Sequence, residues 1–248
     1  MLALLLACSW IPVSASDDAR GVDGASVQTG REAGKGPEAP GRSEVPAESY
    51  ADLRAALARD RTELAQLDRS VARVRARERL TDAVRDGLAP RWFGTPWAFY
   101  GTSTTPGEGT IACGYFVSTV LQHAGLRVER VKMAQQPSEY IVKTFADEPQ
   151  IRRFRKGDRA AVKAWVQTQD DGLYVVGLDY HVGLLVKRGD TVELCHSGFT
   201  GDQVVVCSDP LVDDGFISRY HVVGPVLTDE VVDAWLDGAA IPTFTGGS

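Results

Sequence analysis

Apolar residues repeat along this chain with two different periods. Between about 47 and 88, Leu53, Leu57, Leu64, Leu67, Val71 and Val74 recur at spacings of three, four or seven, and Asp60 is the one interruption. Arg, Asp and Glu fill the other faces, which predicts a long N-terminal helix with one buried edge. That edge fits either a coiled coil or packing on the chain's own domain, and the short, interrupted repeat favours the domain. Leu80, Val84 and Leu88 carry a helical face on to Pro90, and a kink or break near Arg77 is compatible with the pattern. Val117, Val120, Leu121 and Ala124 stand at i, i+3, i+4 and i+7, predicting another helix that Gly125 stops. Short helices are expected over 138–145, 159–167 and 231–236. Strands are expected over 173–178, 181–187, 191–196, 203–207 and 216–223, with turns at Gly189-Asp190 and Gly201-Asp202. Helices first and adjacent strands later predict an α+β fold with an antiparallel sheet.

Composition refines this outline. The 248 residues are 44% hydrophobic, enough for one domain with extensions. A net charge of -6, with no Lys/Arg block, gives no indication of nucleic-acid binding. No apolar run reaches the ~18 residues of a membrane span. Residues 1–8 form an apolar run ending in Cys8, similar to the tail of a bacterial lipoprotein signal whose cleavage leaves a lipid-bearing cysteine. Residues 9–46 are rich in Gly, Ala, Ser, Pro, Asp and Glu, and read as a disordered tether. A helical region over 47–90 then leads into a catalytic domain over 91–248, with an inserted helical region at about 132–172. The lipoprotein reading puts the domain in the cell envelope, membrane-anchored and facing the periplasm, and Ser9 favours the outer membrane. An oxidising compartment would let Cys195 and Cys207 pair if strand register brings them together. A monomer is expected.

The chemistry concentrates on one cysteine and two histidines. Cys113 lies where a Gly/Thr/Pro-rich loop gives way to an apolar helix, one turn before Val117. A thiol attacks as the thiolate, and a pKa near ~8.5 leaves it mostly protonated at neutral pH. Unpaired N–H groups at a helix start favour the anion and can receive an oxyanion. Gly114 permits close approach of backbone or substrate. Taken alone, Cys113 reads more readily as a buried structural cysteine, and it is the histidines that change this. His181 opens an apolar strand and shares a face with Gly183 and Leu185, so an imidazole with a pKa near ~6.5 stands ready to shuttle a proton. His196 shares a face with Leu194 and Val192 one strand later, where it can orient His181. His123 and His221 have no partner implied by spacing. Cys195 and His196 point to opposite strand faces and no C-x-x-C occurs, so neither a metal nor another cofactor is expected.

The runs Gly94-Thr95-Pro96-Trp97, Tyr100-Gly101-Thr102-Ser103 and Cys113-Gly114-Tyr115-Phe116-Val117, followed by His181-Val182-Gly183 and His196-Ser197, resemble the NlpC-type cell-wall cysteine peptidases in residue type and order. The resemblance spans roughly 93–197. It implies a papain-like α+β fold, in which an antiparallel sheet packs on the helix bearing Cys113, with His181 as base and His196 as third member. It also implies hydrolysis of amide bonds in peptidoglycan stem peptides. Trp97 stands where the family usually has an oxyanion-site tyrosine, with Tyr100 nearby, and Ala112 and Gly114-Tyr115 replace the family's Asp and Ser-Gly. The 96–113 loop is longer than usual. Two other functions fit the same residues: acyl transfer through the same thioester, and non-catalytic wall binding.

Overall fold

Ser49 accepts the Asp52 N–H at its hydroxyl (3.1 Å), which caps α1 (Tyr50–Leu64). The computed structural model describes residues 49–246; the signal-like segment with Cys8 and the tether over 9–46 lie outside the described residues. The expected long helix is instead two helices. Asp68 accepts the Ser70 N–H (3.0 Å) and starts α2 (Arg69–Asp82), so the break falls at 65–68 rather than near Arg77. Asp60, the interruption in the apolar stripe, bonds Arg79 of α2 at 2.6 Å. Leu53 and Leu57 are buried as expected, but Leu67, Val71 and Val74 are 38%, 44% and 55% exposed. Ala72, Ala76 and Leu80 form the buried face of α2 instead. On its outer side Arg69, Arg73 and Arg77 pair with Asp237, Asp233 and Asp229 at and beside the C-terminal helix Asp229–Leu236.

A π-helical turn, Ala83–Leu88, and a short α3 (Ala89–Arg91) lead into the loop before α4 (Cys113–His123). Gly125, at φ 96°, ends that helix as expected. There follow β1 (Arg127–Val128), α5 (Arg130–Ala134), α6 (Ser138–Lys143), β2 (Arg152–Phe154) and α7 (Arg159–Gln167). Then come β3 (Gly172–Leu178), β4 (Val182–Arg188), β5 (Thr191–Ser197), β6 (Val205–Ser208) and β7 (His221–Pro225). The chain closes with α8 (Asp229–Leu236) and β8 (Ala240–Ile241), which pairs parallel with β1.

The main sheet has six strands in the order β2-β7-β3-β4-β5-β6, every pair antiparallel. The fold is therefore α+β. Period-two alternation sends Leu173, Val175, Leu184 and Val186 into the large core shared with α1, α2, α4 and α8. Tyr174, Val176, Leu185 and Leu194 face the other way, under Val162 and Val166 of α7. Helices on both faces explain why β3 is buried along its whole length. Two expectations need correction. The region at 132–172 is not purely helical, because it supplies β2, an edge strand too short and too basic to show a period. The last strand begins at His221, not at 216, because Asp179 holds the preceding segment as a loop: its carboxylate accepts from Ser218 Oγ (2.7 Å) and from the Arg219 N–H (2.8 Å). Among the described residues no helix is long and apolar enough to cross a membrane.

A buried polar chain fastens α1 to the domain. Trp92 Nε1–H donates to Tyr50 Oη (2.9 Å), so the Tyr50 hydroxyl donates to His123 Nδ1 (2.8 Å). Burial pushes the Tyr50 hydroxyl up to about 12. Burial, then Arg54 and Arg130, push His123 down to about 4, which keeps the ring a neutral acceptor. Tyr50→Phe strands two buried polar groups and is expected to lower stability by about 2 kcal/mol. A urea midpoint unchanged from wild type would show that the hydroxyl contributes nothing.

Candidate active site

The loop before α4 is held by backbone bonds. Ile111 N–H donates to Pro96 O (3.0 Å), Ala112 N–H donates to Gly101 O (2.9 Å), and Thr102 bridges Ile111. These contacts hold Ala112 extended (φ -81°, ψ 160°), so helical geometry begins at Cys113. Ala112 has no side-chain group with which to cap the first-turn N–H groups of α4. Cys113 is partly buried and lies outside the disulfide.

Helix α4 packs against β4 and β5. Because these strands are antiparallel, the start of β4 and the end of β5 lie at one end of the sheet. His181 immediately precedes β4, and His196 is next to last in β5. Ser197 Oγ donates to the carbonyl of Ile111 (2.7 Å), which ties that end of β5 to the residue two before Cys113. The structure thus brings the start of α4, His181 and His196 to the same end of the sheet.

The two imidazoles are in direct contact, with His181 Nε2 2.6 Å from His196 Nδ1. A Cβ on Gly183 would stand 3.2 Å from His196 Cβ and 2.8 Å from Leu194 Cδ1, so the glycine makes room for that strand. His196 Nε2 in turn lies 3.1 Å from Asp213 Oδ2. Asp213 also accepts from Ser208 Oγ and from the Gly215 N–H (2.8 Å). Partial burial raises the Asp213 carboxyl, but its bond to His196, the attraction that ring exerts when protonated, and the donors Ser208 and Gly215 outweigh this and hold it down to about 2. Burial, reinforced by His196, pushes His181 down to about 3 against the opposing pull of Asp213. His181 is therefore neutral at physiological pH. Its Nδ1 is buried and has no hydrogen-bond partner among the described residues.

An aromatic row borders the pair. Phe199 lies edge-on to His181 with ring centres 5.1 Å apart, and Trp97 tilts against Phe199 at 6.3 Å. Trp97 thus reaches the site through Phe199. Tyr100 is 87% exposed on the outer loop, with its ring edge-on to Phe99. At Gly114 the space a side chain would fill is occupied by the Ala134 carbonyl, 2.4 Å from an ideal Cβ, so the close approach there is made by α5. Cys195 and Cys207 are register partners on β5 and β6 and form a disulfide beside His196. His123 belongs to the Tyr50 chain, and His221 is buried with Nε2–H donating to Phe216 O (3.0 Å). Among the described residues no group of three or more His, Cys, Asp or Glu could hold a metal ion.

Asp213 is the site residue that sequence reasoning missed. It lies in an acidic turn, Asp209 to Asp214, where Asp is an ordinary turn former. Only the pairing of β5 with β6 carries that turn back to His196. No protein family, curated protein or solved structure matches this chain.

Proposed function

We propose that this chain is a cysteine hydrolase of papain-like, NlpC-like type that cleaves amide bonds in peptidoglycan stem peptides. The observation that carries the reading is the buried lone nitrogen of His181, backed by His196 and located at the sheet end where α4 begins with Cys113. As Cys113 Sγ attacks the carbonyl carbon, its proton passes to Nδ1 of His181. First-turn N–H groups of α4 receive the oxyanion. The tetrahedral species collapses, the C–N bond breaks, and the leaving amine takes the proton from His181. Water then attacks the thioester, gives a proton to His181, and releases the acid; the proton returns to sulfur. The half-buried Trp97 and the more exposed Phe199 offer flat apolar surface beside His181. The choice of peptidoglycan, and lipid anchoring through Cys8 at the periplasmic face of the envelope, rest on the sequence resemblances described above.

The test is to incubate purified protein with peptidoglycan and weigh the soluble fragments. Wild type is expected to release fragments with new amino and carboxyl ends, and Cys113→Ala none. Identical fragment patterns from the two proteins would overturn the proposal.

A further inference from the structure

The carboxylate of Asp213 has an acceptor role at each oxygen. Oδ1 takes the Gly215 N–H at 2.8 Å, while Oδ2 takes Ser208 Oγ–H and faces His196 Nε2 at 3.1 Å. An ionised carboxylate donates nothing, so His196 must carry its proton on Nε2. With both rings neutral, His196 Nδ1 is then an acceptor, and the 2.6 Å contact requires the proton of His181 to sit on Nε2. For two neutral rings, one proton arrangement satisfies every contact, and it leaves Nδ1 of His181 as a bare lone pair.

We infer that Asp213 is a positioning residue for the thiol chemistry, setting through His196 which nitrogen of His181 can accept the Cys113 proton. The inference rests on the hydrolase reading for its kinetic consequence, but not for its proton placement. The cradle is tight: a Cβ on Gly215 would lie 2.6 Å from His196 Cε1 and 3.0 Å from Asp213 Oδ1, so the ring has little room to swing on that side. Arg159, whose guanidinium donates to the Asp213 carbonyl (3.1 Å), anchors the turn from α7.

Asp213→Asn reverses the relay. The backbone N–H of Gly215 cannot change sign, so the amide oxygen must face it, which turns the amide NH2 toward His196 Nε2 and Ser208. His196 Nε2 becomes an acceptor, its proton moves to Nδ1, and His181 accepts there at Nε2 and carries N–H at Nδ1. A ring in that state cannot take the thiol proton. In serine triads the corresponding exchange costs about 10⁴-fold through the wrong tautomer. With an extra ring interposed, Asp213→Asn is expected to slow acyl-enzyme formation by about 10³-fold. Asp213→Ala, which imposes no tautomer, is expected to be less impaired than Asp213→Asn. Ser208→Ala, which removes only a hydroxyl donor, is expected to stay within a few-fold of wild type.

The decisive readout is the ring-nitrogen NMR of 15N-histidine-labelled protein near neutral pH. Wild type is expected to show His181 protonated at Nε2 and bare at Nδ1, with the two exchanged in Asp213→Asn. A His181 tautomer unchanged by that substitution overturns the inference, as does Ser208→Ala being as impaired as Asp213→Asn. If wild type cleaves no amide, the hydrolase reading fails while the nitrogen shifts still decide the role of Asp213.

Discussion

Replacing His181 with alanine is expected to lower amide cleavage by about 10³-fold, within the range a positioned acid–base group contributes. The ring is neutral, buried and backed by His196, and its Nδ1 is uncommitted among the described residues. The same burial predicts a pH signature. An exposed imidazole titrates near ~6.5, whereas the folded value of His181 is pushed down to about 3 and that of His123 to about 4. As pH falls, the unfolded chain therefore takes up these protons first. The stability held by the neutral rings is fully present above about 6.5 and is lost as pH drops toward their folded values. Asp213, held down to about 2, adds a loss only at lower pH, one that begins near the ordinary carboxyl value and runs down toward its folded value. Thermal midpoints of wild type should fall between pH 7 and 4, and His181→Ala should fall less steeply. Wild-type kcat/KM should hold below pH 6.5. Cleavage by His181→Ala within a few-fold of wild type would remove the ring from the chemistry.

Gly114→Ala is expected to lower stability by about 3 kcal/mol, at the upper end of common overpacking effects. The added Cβ would sit 2.4 Å from the carbonyl oxygen of Ala134, a backbone atom that cannot rotate aside. Relief requires α4 and α5 to separate. Gln135 Nε2 contacts Tyr115 Oη at 3.3 Å across the same corner, so the separation breaks a second contact and moves the first turn of α4, with Cys113 on it. Hydrolysis should therefore fall together with the urea midpoint. Gly172→Ala is the control, since its Cβ would meet nothing within 4 Å. Equal midpoints for the two variants would mean that the α4–α5 corner yields without cost.

Legibility of the chain followed the strength of its local signals. The helix at Cys113 and the strands β3 to β5 were readable because apolar periodicity, Gly125 and the Gly-Asp turns agree on their limits. The N-terminal helical hairpin was not. Its apolar stripe runs through Leu67, Val71 and Val74, which face outward, while alanines make the buried contact. A residue scale cannot see that Arg69, Arg73 and Arg77 find carboxylates some 160 positions later. At the site, the two histidines were readable from their strands one hairpin apart, although β4 begins at Val182 and leaves His181 just before it. Asp213 was not, because its role depends on a turn folding back over β5. The edge strand β2 failed for a third reason: Arg152-Arg153-Phe154 has too few residues to express a period.

The disulfide gives the relay a durable frame. Cys195 immediately precedes His196, and Cys207 immediately precedes Ser208, so the covalent link fixes the spacing between an imidazole and a hydroxyl that both address one carboxylate. The acidic turn carrying that carboxylate is thus received between two anchors on neighbouring strands that are covalently joined, and the berth it fits is set by the bond rather than by the sheet's hydrogen bonds alone.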